Sequence, residues 1–182
     1  MAHPLPFFSV ITTTHLRAPL LERALQSLRQ QSFQDFEMIV VADALDAGTA
    51  RVAAELLRAQ DVFVKRNGAP GPAESRNLGM DMARGEWVLF LDDDDSFQPQ
   101  HLQTLHRRIT QPASEAERAA RVLYSDFEVL TEDRTQQPLA ALSRSPVSLK
   151  AHAVANLHVK NFIPNNALAF HRLVLEGCRV DP

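Results

Sequence analysis

The chain has 182 residues, 45% of them hydrophobic and 23% charged, with a formal net charge of −3. That length buries one sizeable core and leaves little for a second, and the mildly acidic balance gives no reason to expect general nucleic-acid binding. A single cysteine, Cys178, excludes an intramolecular disulfide and fits a reducing compartment, while no secretory leader opens the chain and no apolar run reaches membrane-span length. These features predict a cytoplasmic protein with no transmembrane segment, compatible with peripheral association at the inner face of a membrane.

In chain order, Phe7 to Ile11 reads as a first strand ending in Thr12-Thr13-Thr14. Pro19 opens a helix whose apolar stripe is Leu20, Leu21, Ala24, Leu25 and Leu28. Phe36 to Ala42 is a second strand, almost continuously apolar as in a sheet covered on both faces, and it ends at Asp43. Thr49 is the predicted cap of a helix carrying Val52, Ala53, Leu56 and Leu57. Val62-Phe63-Val64 forms a short strand, and a glycine- and proline-rich loop leads into a helix from Pro72 to Arg84, with Gly85 as its C-cap. Trp87 to Leu91 is a fourth strand, and Pro99 opens a helix with Leu102, Leu105 and Ile109 on one face. His101 and His106 read as surface residues.

Beyond residue 110 the pattern loosens. The sequence predicts a polar, loose or helical stretch over 111–119, a strand over 121–130, a turn over 131–137, short helices over 151–157 and 172–176, and a strand over 167–170. The alternation of strands and helices implies right-handed crossovers in an α/β fold with a mostly parallel sheet, and the second half supplies an antiparallel edge.

The chemistry concentrates where Asp92-Asp93-Asp94-Asp95 follows the apolar run Trp87 to Leu91. Two like charges about 4 Å apart repel by on the order of 1 kcal/mol even in water. Four of them at the end of a buried strand call for a hard divalent cation such as Mg²⁺ or Mn²⁺. A solvated acidic turn is the alternative. In open α/β sheets, ligands bind beyond the carboxyl ends of the strands. Thr13 and His15, Asp43, and the aspartates all fall at such ends. The Asp92-X-Asp94 spacing suits a cation held between protein and diphosphate, and Arg76 can reach a diphosphate or a neighbouring acid. Taken alone, Asp43 reads more readily as an ordinary helix-approach or turn aspartate, and Arg76 equally well as a surface ion-pair member.

Several segments together carry a resemblance: residues 9–15 with Arg17, Leu21 to Leu28, Gln31 to Val41 with Asp43, Gly71 to Gly79, and Ala83 to Asp95. In this order they resemble the family 2 glycosyltransferases, which have the GT-A nucleotide-diphospho-sugar transferase fold, a Rossmann-like α/β/α sandwich. The likeness covers residues 7–110 closely and is looser through Tyr124-Ser125-Asp126 and Asn161 to Pro164.

The resemblance implies inverting, metal-dependent transfer of a sugar from a nucleoside diphosphate sugar to a hydroxyl of a saccharide or lipid-linked acceptor. It implies nucleoside contacts at Thr13, His15 and Asp43, a ribose or sugar contact at Asp93, a metal site at Asp92 and Asp94, and Arg76 near the nucleotide. It also implies one glycosyltransferase-like domain over 1–182, with 5–110 binding the donor and 111–182 forming an incomplete acceptor side. Two departures stand out. The acid often paired at the end of the second strand is Ala42 here. The family's general-base segment lies beyond Leu175 to Cys178, so no catalytic base is assigned. The expectation is an N-terminal fragment of such an enzyme, the alternative a non-catalytic nucleotide-sugar-binding module.

Overall fold

A computed structural model describes residues 5–69, 71–133, 135, 140–149 and 163–180. The first half runs β1 (Phe8–His15), α1 (Ala18–Arg29), β2 (Phe36–Ala44), α2 (Ala47–Leu56), β3 (Val62–Lys65), α3 (Pro72–Met82), β4 (Trp87–Phe90) and α4 (His101–Thr110). The second half adds α5 (Glu115–Ala119), β5 (Val122–Tyr124), β6 (Phe127–Asp133), β7 (Ala140–Val147) and β8 (Leu168–His171), with 3-10 turns on both sides of β8. The main sheet has the order β3-β2-β1-β4-β8-β5, and β6 and β7 form a separate antiparallel hairpin. β3, β2, β1 and β4 are parallel, while β8 runs antiparallel to both β4 and β5. This is the expected three-layer α/β fold with an antiparallel edge.

Strand alternation divides the core in two. Phe8 and Val10, Met38 and Val40, and Trp87, Leu89 and Leu91 pack under α1, α2 and α4. Ile11, Ile39, Val41, Val88 and Phe90 pack under α3 on the other face. The same period carries past the strand ends. Thr14 and Asp93 follow the α1 face, whereas Thr13, Asp43 and Asp92 follow the α3 face.

The amino ends of the strands are closed by a buried polar brace. Glu37, fully buried, accepts from the Ser9 hydroxyl at 2.7 Å, from the Arg84 N–H at 2.8 Å and from the Arg84 guanidinium at 2.5 and 2.8 Å. The Gly85 N–H donates to Ser9 Oγ at 2.8 Å. A Cβ on Gly85 would meet the Ser9 nitrogen at 2.5 Å, so this glycine permits close approach to β1. It is not the C-cap the sequence suggested, since α3 ends at Met82 and Ala83 occupies that position.

Other expectations shift in detail. Asp46, not Thr49, caps α2: its carboxylate accepts from the Thr49 N–H at 2.7 Å, and Thr49 itself is buried inside the helix. Thr12 to Thr14 lie within β1, which runs past the end of β4. α4 begins at His101, two residues after Pro99. The single strand predicted over 121–130 is two, β5 and β6, in different sheets, and β7 was not foreseen. The predicted helix over 151–157 lies outside the described residues.

Neither His101 nor His106 is a free surface residue. His106 stacks on Phe33 with ring centroids 4.4 Å apart, and His101 lies 4.3 Å from the Phe97 ring. Burial pushes the His101 imidazole down to about 4 from its ordinary 6.5. The unfolded chain therefore binds a proton that the folded chain refuses between those values. Stability from this group is full above about pH 6.5 and is lost as pH falls toward 4, up to about 3 kcal/mol. Urea titrations at pH 7 and pH 4.5 are expected to show a smaller acid loss in His101→Leu than in the wild type.

Candidate functional site

The site forms where the connections change face. β1-α1-β2-α2-β3 progresses outward on one side, and α3 then returns the chain to β4 on the other side of β1. The carboxyl ends of β1 and β4 therefore border a switch point, the standard crevice of an open α/β sheet. Thr13, Thr14, His15, Arg17, Asp43, Gly71 and Pro72 line a cleft of about 300 Å³ on this rim. Three residues predicted to contact a nucleoside, Thr13, His15 and Asp43, thus surround one depression. β1 enters it through a register break between Thr14 and His15, and Leu16 turns the chain in the left-handed region (φ 55°).

Asp43 anchors the loop that leads into α3. It accepts from the Arg66 Nε at 3.0 Å, from the Gly71 N–H at 2.9 Å and from the Ser75 hydroxyl. Burial raises the Asp43 carboxyl, but these donors outweigh it and hold the group below the usual carboxylate range. The next residue of α3, Arg76, is 14% exposed and donates to Asp92 Oδ1 at 2.6 Å. Adjacent positions on one helix therefore tie the end of β2 to the end of β4.

The four aspartates have four different surroundings. Asp92 carries Arg76. Asp93 is fully buried and points inward, accepting from Thr14 Oγ1 at 2.6 Å and facing Arg17 Nη2 at 2.6 Å. Asp94 is 42% exposed, with its nearest cation, Arg17 Nη1, at 3.3 Å. Asp95 closes a turn on the Asp92 carbonyl and accepts from Asn166 Nδ2 at 2.7 Å. Burial raises the carboxyls of Asp93 and Asp95, with Asp94 adding to both and Asp92 to the second, while Thr14 and Arg17 oppose the shift at Asp93.

Arg17, Arg23, Arg66 and Asn166 were not among the predicted site residues. Arg23 donates to the Asp94 carbonyl at 2.7 Å and to both oxygens of Glu132, at the far end of β6. Arg17, three residues past Thr14 at a strand end rich in polar groups, was the most legible of these. The partners of Arg23 and Asn166 lie more than 70 residues away and left no local signal.

The donor set around the turn consists of hard carboxylate oxygens, which suits Mg²⁺ or Mn²⁺. Among the described residues, no three His, Cys, Asp or Glu side chains converge to hold a metal by themselves. Asp92 and Asp94 offer two carboxylates, the number such ions commonly take from a protein when phosphate oxygens complete the shell.

A family profile described as "Glycosyl transferase family 2" matches residues 9–174. The chain belongs to this family. A relative, the GalNAc(5)-diNAcBac-PP-undecaprenol β-1,3-glucosyltransferase of Campylobacter jejuni, is 39% identical over 107 residues, covering 57% of this chain and 35% of that enzyme. The succinoglycan biosynthesis protein ExoW of Rhizobium meliloti is 28% identical over 174 residues, covering 89% of this chain and 54% of that protein. The chain thus spans between about a third and about half of the length of these relatives. Among solved structures, Staphylococcus aureus TarS 1–349 with UDP-GlcNAc superimposes with a TM-score of 0.68 at 21% identity, over 93% of this chain and 46% of that one. The Pyrobaculum calidifontis mannosyltransferase PcManGT, with GDP-Man and Mn²⁺, gives 0.64 at 20% identity, over 94% and 46%. At that identity the likeness bears on the fold, and it agrees with the GT-A layout read from the motifs.

Proposed function

We propose that the protein transfers a sugar from a nucleoside diphosphate sugar to an acceptor hydroxyl with inversion, and that residues 5–110 hold the donor while 111–182 contribute the acceptor side. The observation that carries this reading is the shared rim. The cleft of Thr13, His15 and Asp43 and the turn Asp92 to Asp95 sit at one end of the sheet, joined by Ser75 and Arg76.

Thr13, His15 and Asp43 border the space for the nucleoside, and Asp94 and Asp92 face the diphosphate. Asp93 acts from below, since its carboxylate is turned toward Thr14 and Arg17. Arg17 is thereby held at the mouth of the cleft, where a guanidinium attracts phosphate. Asp92 and Asp94 would hold a divalent cation, which would supply positive charge against the departing diphosphate. The acceptor oxygen attacks the anomeric carbon from the opposite face, the bond from that carbon to the diphosphate breaks, and the hydroxyl proton passes to a carboxylate base.

The Campylobacter relative is named for an undecaprenol-diphosphate-linked glycan. That supports a saccharide on a lipid carrier as acceptor, and action at the inner face of a membrane. Among the described residues no helix is long and apolar enough to cross one. The test is calorimetric titration of UDP and GDP into the protein with Mn²⁺ or with excess EDTA. The expected result is that one nucleotide binds at least tenfold more tightly with Mn²⁺. Equal affinity under both conditions would count against metal dependence, and no binding of either nucleotide would remove the donor-site reading.

A further inference from the structure

The main sheet ends at β5, and among the described residues no strand pairs with its outer side. On the inner side, the His171 N–H donates to the Arg121 carbonyl at 2.8 Å and the Ser125 N–H to the Ala167 carbonyl at 2.9 Å. Backbone groups alternate along an antiparallel ladder, so those of Leu123 also point to β8 and those of Val122 and Tyr124 point outward. Side chains alternate as well. Leu123, opposite Ala169, turns to the α4 face. Val122, opposite Phe170, turns with Tyr124 to the α3 face, where they are 42% and 38% exposed. An edge of this kind is a template for one more strand.

A cleft of about 900 Å³ lies between this edge and α4. Ile109 and Leu123 contribute apolar lining, and Arg107, Arg108, Arg118 and Arg121 stand around it against two acids, Glu86 and Glu117. Glu117 already accepts from Arg108 at 2.5 Å and from the Ala113 N–H at 2.7 Å. Arg121 donates to the main-chain carbonyls of Arg118, Ala119 and Ala120. Arg107 is exposed and has no ion pair among the described residues. The cleft is therefore positive on a chain whose net charge is −3. It also lies toward Trp87, the first residue of β4, away from the aspartate turn that follows that strand.

Charge decides which strand fits. Two copies meeting β5 to β5 would set Arg118 and Arg121 of one against those of the other, and like charges across an interface oppose that pairing. An acidic strand is complementary. Val122 and Tyr124 offer one N–H and one C=O each, enough to fix register, so the arginines supply most of the affinity. We infer that β5 and this cleft dock an extended acidic segment of a partner protein by strand addition. Its acidic side chains face the arginines, and its alternate, apolar side chains lie beside Val122 and Tyr124. The site is separate from the donor cleft and stands without the donor reading.

The experiment follows the fluorescence anisotropy of a labelled peptide that alternates glutamate with valine, titrated with the whole chain. The peptide is expected to bind, and to bind at least tenfold more weakly when lysine replaces glutamate. Arg107→Glu on α4 and Arg118→Glu on α5 are each expected to weaken it at least fivefold, with far-UV circular dichroism unchanged. Two further peptides, N-methylated on every valine amide or on every glutamate amide, test the backbone pairing. One set of amides faces β5 and the other faces solvent, so one peptide is expected to lose binding at least tenfold and the other to keep it. The inference is overturned if the acidic peptide does not bind, if the lysine peptide binds as well, or if both variants bind like the wild type. It is equally overturned if methylation weakens both peptides alike or neither. Tripolyphosphate that competes as well as the peptide would reduce the cleft to an anion patch, and dimers in sedimentation velocity that exclude the peptide would give the edge to a second copy; either result sinks the proposal.

Discussion

Asp94→Ala is expected to remove the metal-dependent part of nucleotide binding, weakening UDP or GDP in Mn²⁺ by about a hundredfold, or roughly 2.7 kcal/mol. The four aspartates are not equivalent. Asp93 is spent on Thr14 and Arg17, Asp95 on Asn166, and Asp92 is shared with Arg76. Asp94 is the most open, with only a 3.3 Å contact to an arginine that is already bound to Asp93. It can turn toward a cation with little to give up. Arg76→Ala, which frees Asp92 without removing a carboxylate, is expected to have a smaller effect. Calorimetry in Mn²⁺ and in EDTA measures both. An Asp94→Ala protein that keeps its Mn²⁺-dependent gain would show that the cation is held elsewhere.

The largest stability loss is expected at the opposite end of the sheet. Arg84→Met leaves the fully buried Glu37 side chain without its guanidinium partner, and because Arg84 itself is 45% exposed the expected loss is about 2–3 kcal/mol, below that of a fully buried pair. The remaining donors, Ser9 Oγ and the backbone N–H at position 84, still reach Glu37 and keep the change local. Adding Glu37→Gln removes the charge and is expected to restore part of the loss, because a neutral amide is cheaper to bury than an unpaired ion. Urea unfolding of the single and double variants gives the coupling between the sites. A double variant no more stable than Arg84→Met would mean that packing of the arginine stem, not charge, dominates. Nucleotide affinity is expected to stay unchanged in both, since the brace and the cleft lie at opposite ends of the strands.

The parts of the fold that the sequence announced are those with local causes. The apolar runs of β2 and β4 are sheet strands covered on both faces, and the abrupt change from Leu91 to Asp92 marks a strand end at a ligand rim. The shared position of Thr13, Asp43 and the aspartates followed from strand order alone. The second half was harder because its causes are distant. The run over 121–130 looks continuous, but the Ser125 N–H turns to the Ala167 carbonyl while Asp126 accepts from the Leu149 N–H, and the chain changes sheets between them. β7 contains Pro146 and is largely exposed, so neither propensity nor alternation marks it. Capping of α2 by Asp46 over Thr49 turned on a choice between two good caps three residues apart.

Arg23 gives the site a mechanical property. One guanidinium grips both the backbone of the aspartate turn and the Glu132 end of the β6–β7 hairpin. The hairpin is otherwise a separate two-stranded ribbon outside the main sheet. A molecule that displaces it must either break the Arg23–Glu132 pair or pull the Asp94 carbonyl along. The ribbon and the loop that carries Asp94 are therefore held together by this guanidinium, acting as a tie-rod, with the Gln98–Glu128 hydrogen bond at 3.2 Å beside it.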